Sequence, residues 1–236
     1  MGIYRLEFSK GPEVRYLSHL EMMRTFQRAL RRAELPLAFS EGFNPHPKMS
    51  FASALAVGVT SENEYMDLEL KENLEPEEIM ERLNQSLPSG LKVKRCIMLS
   101  QKGKALMAMV GEAHYHIKVK LLHALSQTHI QEAITSLLKK KSIIIEKKGK
   151  KGPEKKEIRP GIIKLECVGV DEEWVKFTLA VQAGSEKNIR PEEVMKALQI
   201  YEKLPIDLEL AIIHRKGLFK KGQEQLMPGP HPAFKE

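Results

Sequence analysis

Three arginines, Arg24, Arg28 and Arg31, recur at i, i+4 and i+7, the spacing that puts side chains on one face of a helix. Like charges so arranged repel unless an anion lies across them. Planar guanidinium forks suit phosphate because each engages two oxygens. Arg32 stands at the margin of this stripe, and Arg15 precedes it. The alternative is an ordinary solvated helix face. A second concentration of chemistry is Ser40-Glu41-Gly42-Phe43-Asn44-Pro45-His46-Pro47-Lys48. A plain reversal needs only two residues such as Asn-Gly. Here Pro45 and Pro47 fix the backbone on both sides of His46, so little ordering entropy is lost on binding. A stiff loop offering His46, Asn44, Lys48 and the Phe43 ring suits recognition, and a hairpin whose Phe43 plugs a core is the competing reading. His19 falls on the core side of the same helix, either as a packed core histidine or as an imidazole aimed at this loop.

A third concentration is electrostatic. Net charge is +7, and ten Lys or Arg against three Glu fall between Lys139 and Arg159. This stretch, which includes Lys147, Lys148, Lys150, Lys151, Lys155, Lys156 and Arg159, therefore carries the equivalent of the whole excess, which predicts an anionic partner, nucleic acid foremost. Cys96 and Cys167 are the only thiols; each sits in a strand-like apolar run, so neither a disulfide framework nor a cysteine metal site is expected. His114 and His116 alternate on one side of a strand without a visible third ligand, and no metal or cofactor is expected. No apolar run approaches the roughly 20 residues that cross a bilayer, and the first residues lack the order of a secretory signal, so a cytoplasmic protein without a membrane partner is expected.

The elements that must position these residues follow from period. Ile3 to Phe8 alternates as a strand, and Ser18 with Glu21 forms a capping box opening a helix to about Ala33, before Pro36. Strand-like runs at Met49 to Val59 and Glu64 to Leu70 precede a helix opening Glu75-Pro76-Glu77-Glu78 and a strand Leu91 to Leu99. That order, βαββαβ, recurs. His114 to Leu121 is a strand, about Thr128 to Lys140 a helix, and Ser142 to Lys147, Ile162 to Val170 and Val175 to Val181 are strand-like. A helix opening Arg190-Pro191-Glu192-Glu193 and a strand Leu208 to Ile213 complete the set. The chain is thus expected to be α+β, with tandem duplicated ferredoxin-like (βαββαβ) domains and antiparallel sheets. Expected bounds are 1–99 for the first domain, 100–112 for a linker, 113–216 for the second and 217–236 for a flexible tail. Lys92, Lys94, Lys118, Lys120, Lys164 and Lys176 alternate opposite the core, predicting an uncovered basic sheet face.

The stretch Arg15-Tyr16-Leu17-Ser18-His19-Leu20-Glu21, with Arg24, Arg28 to Ala33, Leu35-Pro36, Ser40, Gly42 to Pro47 and Glu64-Tyr65-Met66-Asp67, resembles a bacterial family of unknown function described as radical SAM-associated or radical SAM-linked. Its members are encoded beside, or fused to, a cobalamin-type radical SAM protein. The resemblance implies association with a radical enzyme in an RNA context. It transfers no catalytic residue. With two cysteines the chain cannot ligate an iron-sulfur cluster by three thiolates, so it is not itself the radical enzyme. The expected function is a non-catalytic RNA-binding or substrate-presenting module acting with such an enzyme. The alternatives are a metal-independent RNA-processing enzyme, nuclease or pseudouridine-synthase-like, with Asp67 a conceivable acid, and a protein-binding adaptor.

Overall fold

The computed structural model of the protein describes residues 1–227 apart from Lys102, Lys150, Lys151, Glu186 and Gln223, and leaves the side chains of 147–149 undescribed. It is a mixed α+β fold with mostly antiparallel strands, divided into two compact units, Met1–Gly111 with Gly217–Glu236, and Glu112–Lys216.

In the first unit β1 (Gly2–Lys10) leads through a short 3-10 turn to α1 (His19–Arg32). The expected capping box is present. Ser18 Oγ accepts from the Glu21 amide at 3.3 Å, and the Glu21 carboxylate accepts from the Ser18 amide at 2.8 Å. The hydrogen bonds from the Ser18 hydroxyl and amide hold the Glu21 carboxyl below its ordinary range. This contribution is therefore present at neutral pH and is lost as acidification protonates Glu21. Ser18→Ala is expected to lower stability by about 1 kcal/mol, measured by urea unfolding, with no change in the denaturant slope. Glu34, in the left-handed region at φ 51, ends the helix as the chain turns toward Pro36.

Met22, Phe26, Ala29 and Leu30 of α1 pack on Tyr4, Leu6 and Phe8 of β1 and on Met66, Leu68 and Leu70 of β3 (Thr60–Leu70). Phe8 and Phe26 meet edge to face with ring centroids 4.8 Å apart. β2 (Met49–Phe51) is much shorter than the expected run to Val59: Met49 to Phe51 keep register with β3, the Ala52 amide makes one more bond to the Tyr65 carbonyl, and residues 53–59 lie outside the strand. α2 (Pro76–Ser86), with Pro at its start, precedes β4 (Leu91–Leu99). The strand order is β4-β1-β3, with β2 on the far side of β3.

The face of this sheet opposite the helices is not open to solvent. Arg5 and Glu7 of β1 and Tyr65 of β3 are buried there. Both oxygens of Asp67 accept from Arg5, at 2.8 and 2.9 Å, and a third guanidinium nitrogen donates to the Leu226 carbonyl at 3.0 Å. Burial, followed by the Glu7 carboxylate, pushes the Tyr65 phenol up. The cover comes from the two segments expected to be linker and flexible tail. Residues 100–112 contain α3 (Leu106–Met109), whose Leu106 is buried. Gly217–Phe219 continue a strand, and Leu226 and Met227 are buried as well. The cover is held by the burial of Leu106, Leu226 and Met227, and the Leu226 carbonyl accepts from the Arg5 nitrogen that Asp67 leaves over, which offsets part of the cost of burying that charge. Residues 228–236 of the expected tail lie outside the described residues.

In the second unit β5 (Glu112–Leu121), α4 (Gln127–Lys139), β8 (Ile162–Asp171), β9 (Trp174–Gln182), α5 (Pro191–Tyr201) and β10 (Ile206–Phe219, whose last three residues belong to the first unit) give the order β10-β5-β9-β8. Ile117, Val119, Ile130, Ile134, Phe177 and Leu198 are among its buried residues. β6 (Ile144–Gly149) and β7 (Gly152–Glu157) form a separate two-stranded hairpin. β7 was not expected, since its Pro-Glu-Lys-Lys-Glu sequence is polar on both faces.

Candidate nucleic-acid interface

The arginine stripe forms as the spacing predicts. Arg24, Arg28 and Arg31 are exposed on the face of α1 opposite its core residues. Among the described residues these three guanidinium groups have no hydrogen-bond or ion-pair partner; the charge of Arg24 adds a small lowering to the Glu21 carboxyl one turn before it. Arg32 differs, because it donates to the Ser86 carbonyl at 2.5 Å and so ties α1 to the end of α2. At the start of the helix Arg15 lies over the exposed ring of Tyr16, 4.7 Å from its centroid. That turn is held from below by the buried Lys10, whose ammonium donates to the carbonyls of Arg15 at 2.8 Å and Leu17 at 3.0 Å. Leu20 is also exposed, four residues before Arg24, so the stripe has an apolar residue at its upper end.

The loop is closed at its neck. Phe39 bridges Pro47, the Ser40 amide donates to the His46 carbonyl at 2.8 Å, and the His46 amide donates to Ser40 Oγ at 3.0 Å. Gly42 holds φ at +113 with open space where a side chain would stand, so backbone strain alone reserves this position for glycine. Glu41, Gly42, Phe43, Asn44, Pro45 and His46 are all exposed, and the Phe43 ring is entirely free of its own chain. Phe43 is therefore not a core plug. An aromatic ring presented on a stiff loop can stack on a nucleobase, which is worth roughly 1–3 kcal/mol per base. Phe43→Ala is expected to leave the melting temperature unchanged and to weaken binding of single-stranded RNA about five- to a hundredfold in a fluorescence anisotropy titration.

His19 turns elsewhere. Its ring meets Phe51 edge to face at 5.6 Å, and it is half-buried beside Met22. The imidazole that was a candidate partner of the loop instead packs on the strand that follows it. Lys48, at the loop's end, reaches to 3.8 Å from Glu69.

The basic run divides. In the second unit Lys156 binds both oxygens of Glu193, at 2.9 and 2.7 Å, and the Asn188 carbonyl, while Arg159 donates to the Leu138 carbonyl at 2.8 Å. These two hold the hairpin against its own unit, with Tyr201 bonded to the backbone of Ile144. Lys155 is exposed; the side chains of Lys147 and Lys148, and Lys150 and Lys151 altogether, lie outside the described residues. The expected basic sheet face is largely neutralised. Lys94 binds Asn63 and approaches Glu7, Lys120 pairs with Glu173, Lys164 with Glu166 and Lys176 with Asp171, while Lys118 lies over Trp174. The partners are acids on the strands (Glu7, Glu166, Asp171), an acid in the β8–β9 turn (Glu173), an amide and an aromatic ring, which an inventory of lysines alone does not register.

Neither thiol is a ready nucleophile, since burial pushes Cys96 up to about 12 and also raises Cys167. Among the described residues no group of three potential metal ligands converges, and no helix is long and apolar enough to cross a membrane.

Among solved structures, a Cbf5-Nop10-Gar1 complex is similar with a TM-score of 0.51 at 12% identity, covering 93% of this chain and 50% of that one. An archaeal box H/ACA sRNP Nop10-Cbf5 complex reaches 0.47 at 13% identity, covering 93% and 49%. An H/ACA RNP bound to a substrate RNA containing 2'-deoxyuridine also reaches 0.47, at 11% identity, covering 94% and 47%. The chain spans about half the length of these structures, and at such identity the first of them shows a likeness of fold alone. No curated protein matches the chain. The match of a family model over residues 4–191 settles kinship: the chain belongs to the family described as "Uncharacterized protein conserved in bacteria (DUF2344)".

Proposed function

We propose that this protein is an RNA-binding module that holds single-stranded RNA by its phosphates and presents it to a separate enzyme, without performing chemistry itself. The observation that carries this reading is the stripe of Arg24, Arg28 and Arg31, three neighbouring cations on one helix face without a protein partner among the described residues. Arranged this way they repel, which helix stability alone does not favour, and a polyanion relieves that repulsion. The free Phe43 ring and the Arg15–Tyr16 pair add stacking surfaces of the kind that single strands use. The sequence pI of about 9.2 favours the same class of partner.

Each unit's strand order, with its fourth βαββαβ strand at one edge, then the first, the third and the second, supports reading the chain as two ferredoxin-like domains from one duplicated ancestor. α2 and α5, each 11 residues long and opening Pro-Glu-Glu, support it further. The enzyme served is, in this proposal, a cytoplasmic radical SAM protein, as the resemblance of the first 70 residues implies. The test is a filter-binding titration with unstructured RNA over a range of salt concentrations. Affinity should fall steeply and linearly on a double-logarithmic plot. A flat response, or no binding, overturns the reading.

A further inference from the structure

The first unit contains a cavity of about 270 Å³ on the sheet face opposite its helices, distinct from the arginine stripe. Its charged lining is Lys48, Asp67, Glu69 and Lys104, and its apolar lining includes Ile3, Leu99 and the buried Leu106. Apolar walls beside a few polar groups are the composition of a small-molecule site, and the volume lies near the low end of the usual range of about 300–1,000 Å³.

The two acids are already committed. Both oxygens of Asp67 accept from the buried Arg5, so their charges cancel within the pair. Glu69 is engaged within the chain and also faces Lys48 at 3.8 Å. Setting Asp67 against Arg5 and Glu69 against Lys48 leaves one cation of the lining uncompensated, Lys104, which is exposed and has no hydrogen-bond or ion-pair partner among the described residues. Lys48 is only partly satisfied, because 3.8 Å is beyond hydrogen-bonding distance and its ammonium donors remain unspent. Ser50, in register with Asp67 at the same cavity, is exposed and its hydroxyl is likewise without a partner among the described residues. The cavity therefore offers donors and a surplus positive charge beside an apolar wall, where a charge interacts more strongly than in open water.

We infer that this cavity binds one phosphodiester linkage of a single-stranded RNA, its charged oxygens taken by Lys48 and Lys104 and the attached nucleoside resting on Ile3, Leu99 and Leu106. The inference rests on the RNA reading above and deepens it, because Lys48 is the last residue of the loop that carries Phe43. A phosphodiester brings a single negative charge, which matches the one uncompensated cation; a nucleoside alone brings none. Lysine ammonium groups act as point charges with rotatable donors, so they hold the linkage without selecting a base.

The experiment titrates the full chain by calorimetry with the dinucleotide UpU and with its methylphosphonate analogue, the same molecule with a neutral linkage. UpU should bind about ten- to a hundredfold more tightly. Lys104→Met, which keeps an apolar stem at a position with no partner to lose, should bring the two within about threefold of each other, and Lys48→Met should do the same. Replacing Arg24, Arg28 and Arg31 by Gln should leave the preference intact, since the stripe lies elsewhere. Equal affinity of the two dinucleotides for the native protein, or no binding of UpU, overturns the cavity site, and a steep salt response with longer RNA then leaves phosphate binding by the stripe standing. A preference that survives Lys104→Met, or that vanishes with the three arginines, overturns it too. If longer RNA gives a flat salt response while UpU is preferred and Lys104→Met abolishes that preference, the cavity stands as a phosphodiester site and the RNA reading falls.

Discussion

Replacing Arg24, Arg28 and Arg31 together by Gln flattens the salt dependence of RNA binding. Each phosphate neutralised on a single strand contributes about −0.7 to the slope of log K against log salt. Losing three contacts should make the slope shallower by about 2 and weaken binding by roughly two orders of magnitude at low salt. The same change should not lower the melting temperature. These side chains are exposed and have no partner among the described residues, and removing like charges at i, i+3 and i+4 relieves repulsion of a few tenths of a kcal/mol per pair. A variant that loses affinity with an unchanged slope would mean that the stripe acts on the shape of the protein rather than on phosphates.

Arg5→Met is expected to have the largest effect on stability. The guanidinium is buried and holds both oxygens of Asp67, so its removal leaves a carboxylate in a sheltered place without its counter-charge. Breaking such a pair from one side costs about 3–5 kcal/mol. For a chain of 236 residues that corresponds to a fall in melting temperature of roughly 6–20 °C. The double change Arg5→Met with Asp67→Leu should recover much of this loss, because a matched apolar pair has no unpaired charge to shelter. Calorimetry of the three variants decides it; equal melting temperatures for Arg5→Met and the native protein would show that the pair is solvated.

The parts of the fold written in local pattern were legible. Alternation in β1 and β5, the Ser18–Glu21 capping box and the opening prolines of α2 and α5 all act within a few residues. The arginine stripe belongs to this class, since helical spacing alone fixes it. What could not be read depends on distant partners. Arg5 and Glu7 alternate with Tyr4, Leu6 and Phe8, and polar residues at that period imply a solvated face; their burial needs α3 and residues 226–227, which have no strong period of their own. Lys156 and Arg159 looked free because Glu193 and the Leu138 carbonyl, which bind them, lie far along the chain or on its backbone. The brevity of β2 was hidden by the apolar character of residues 52–59.

Photo-crosslinking of the native protein to a short single-stranded RNA, followed by mapping of the joined peptides, tests the interface most directly. The account predicts crosslinks on the peptides carrying Phe43 and Tyr16, suppressed by rising salt and by the triple arginine change. Crosslinks that avoid both peptides, or that persist undiminished in that variant, would contradict it.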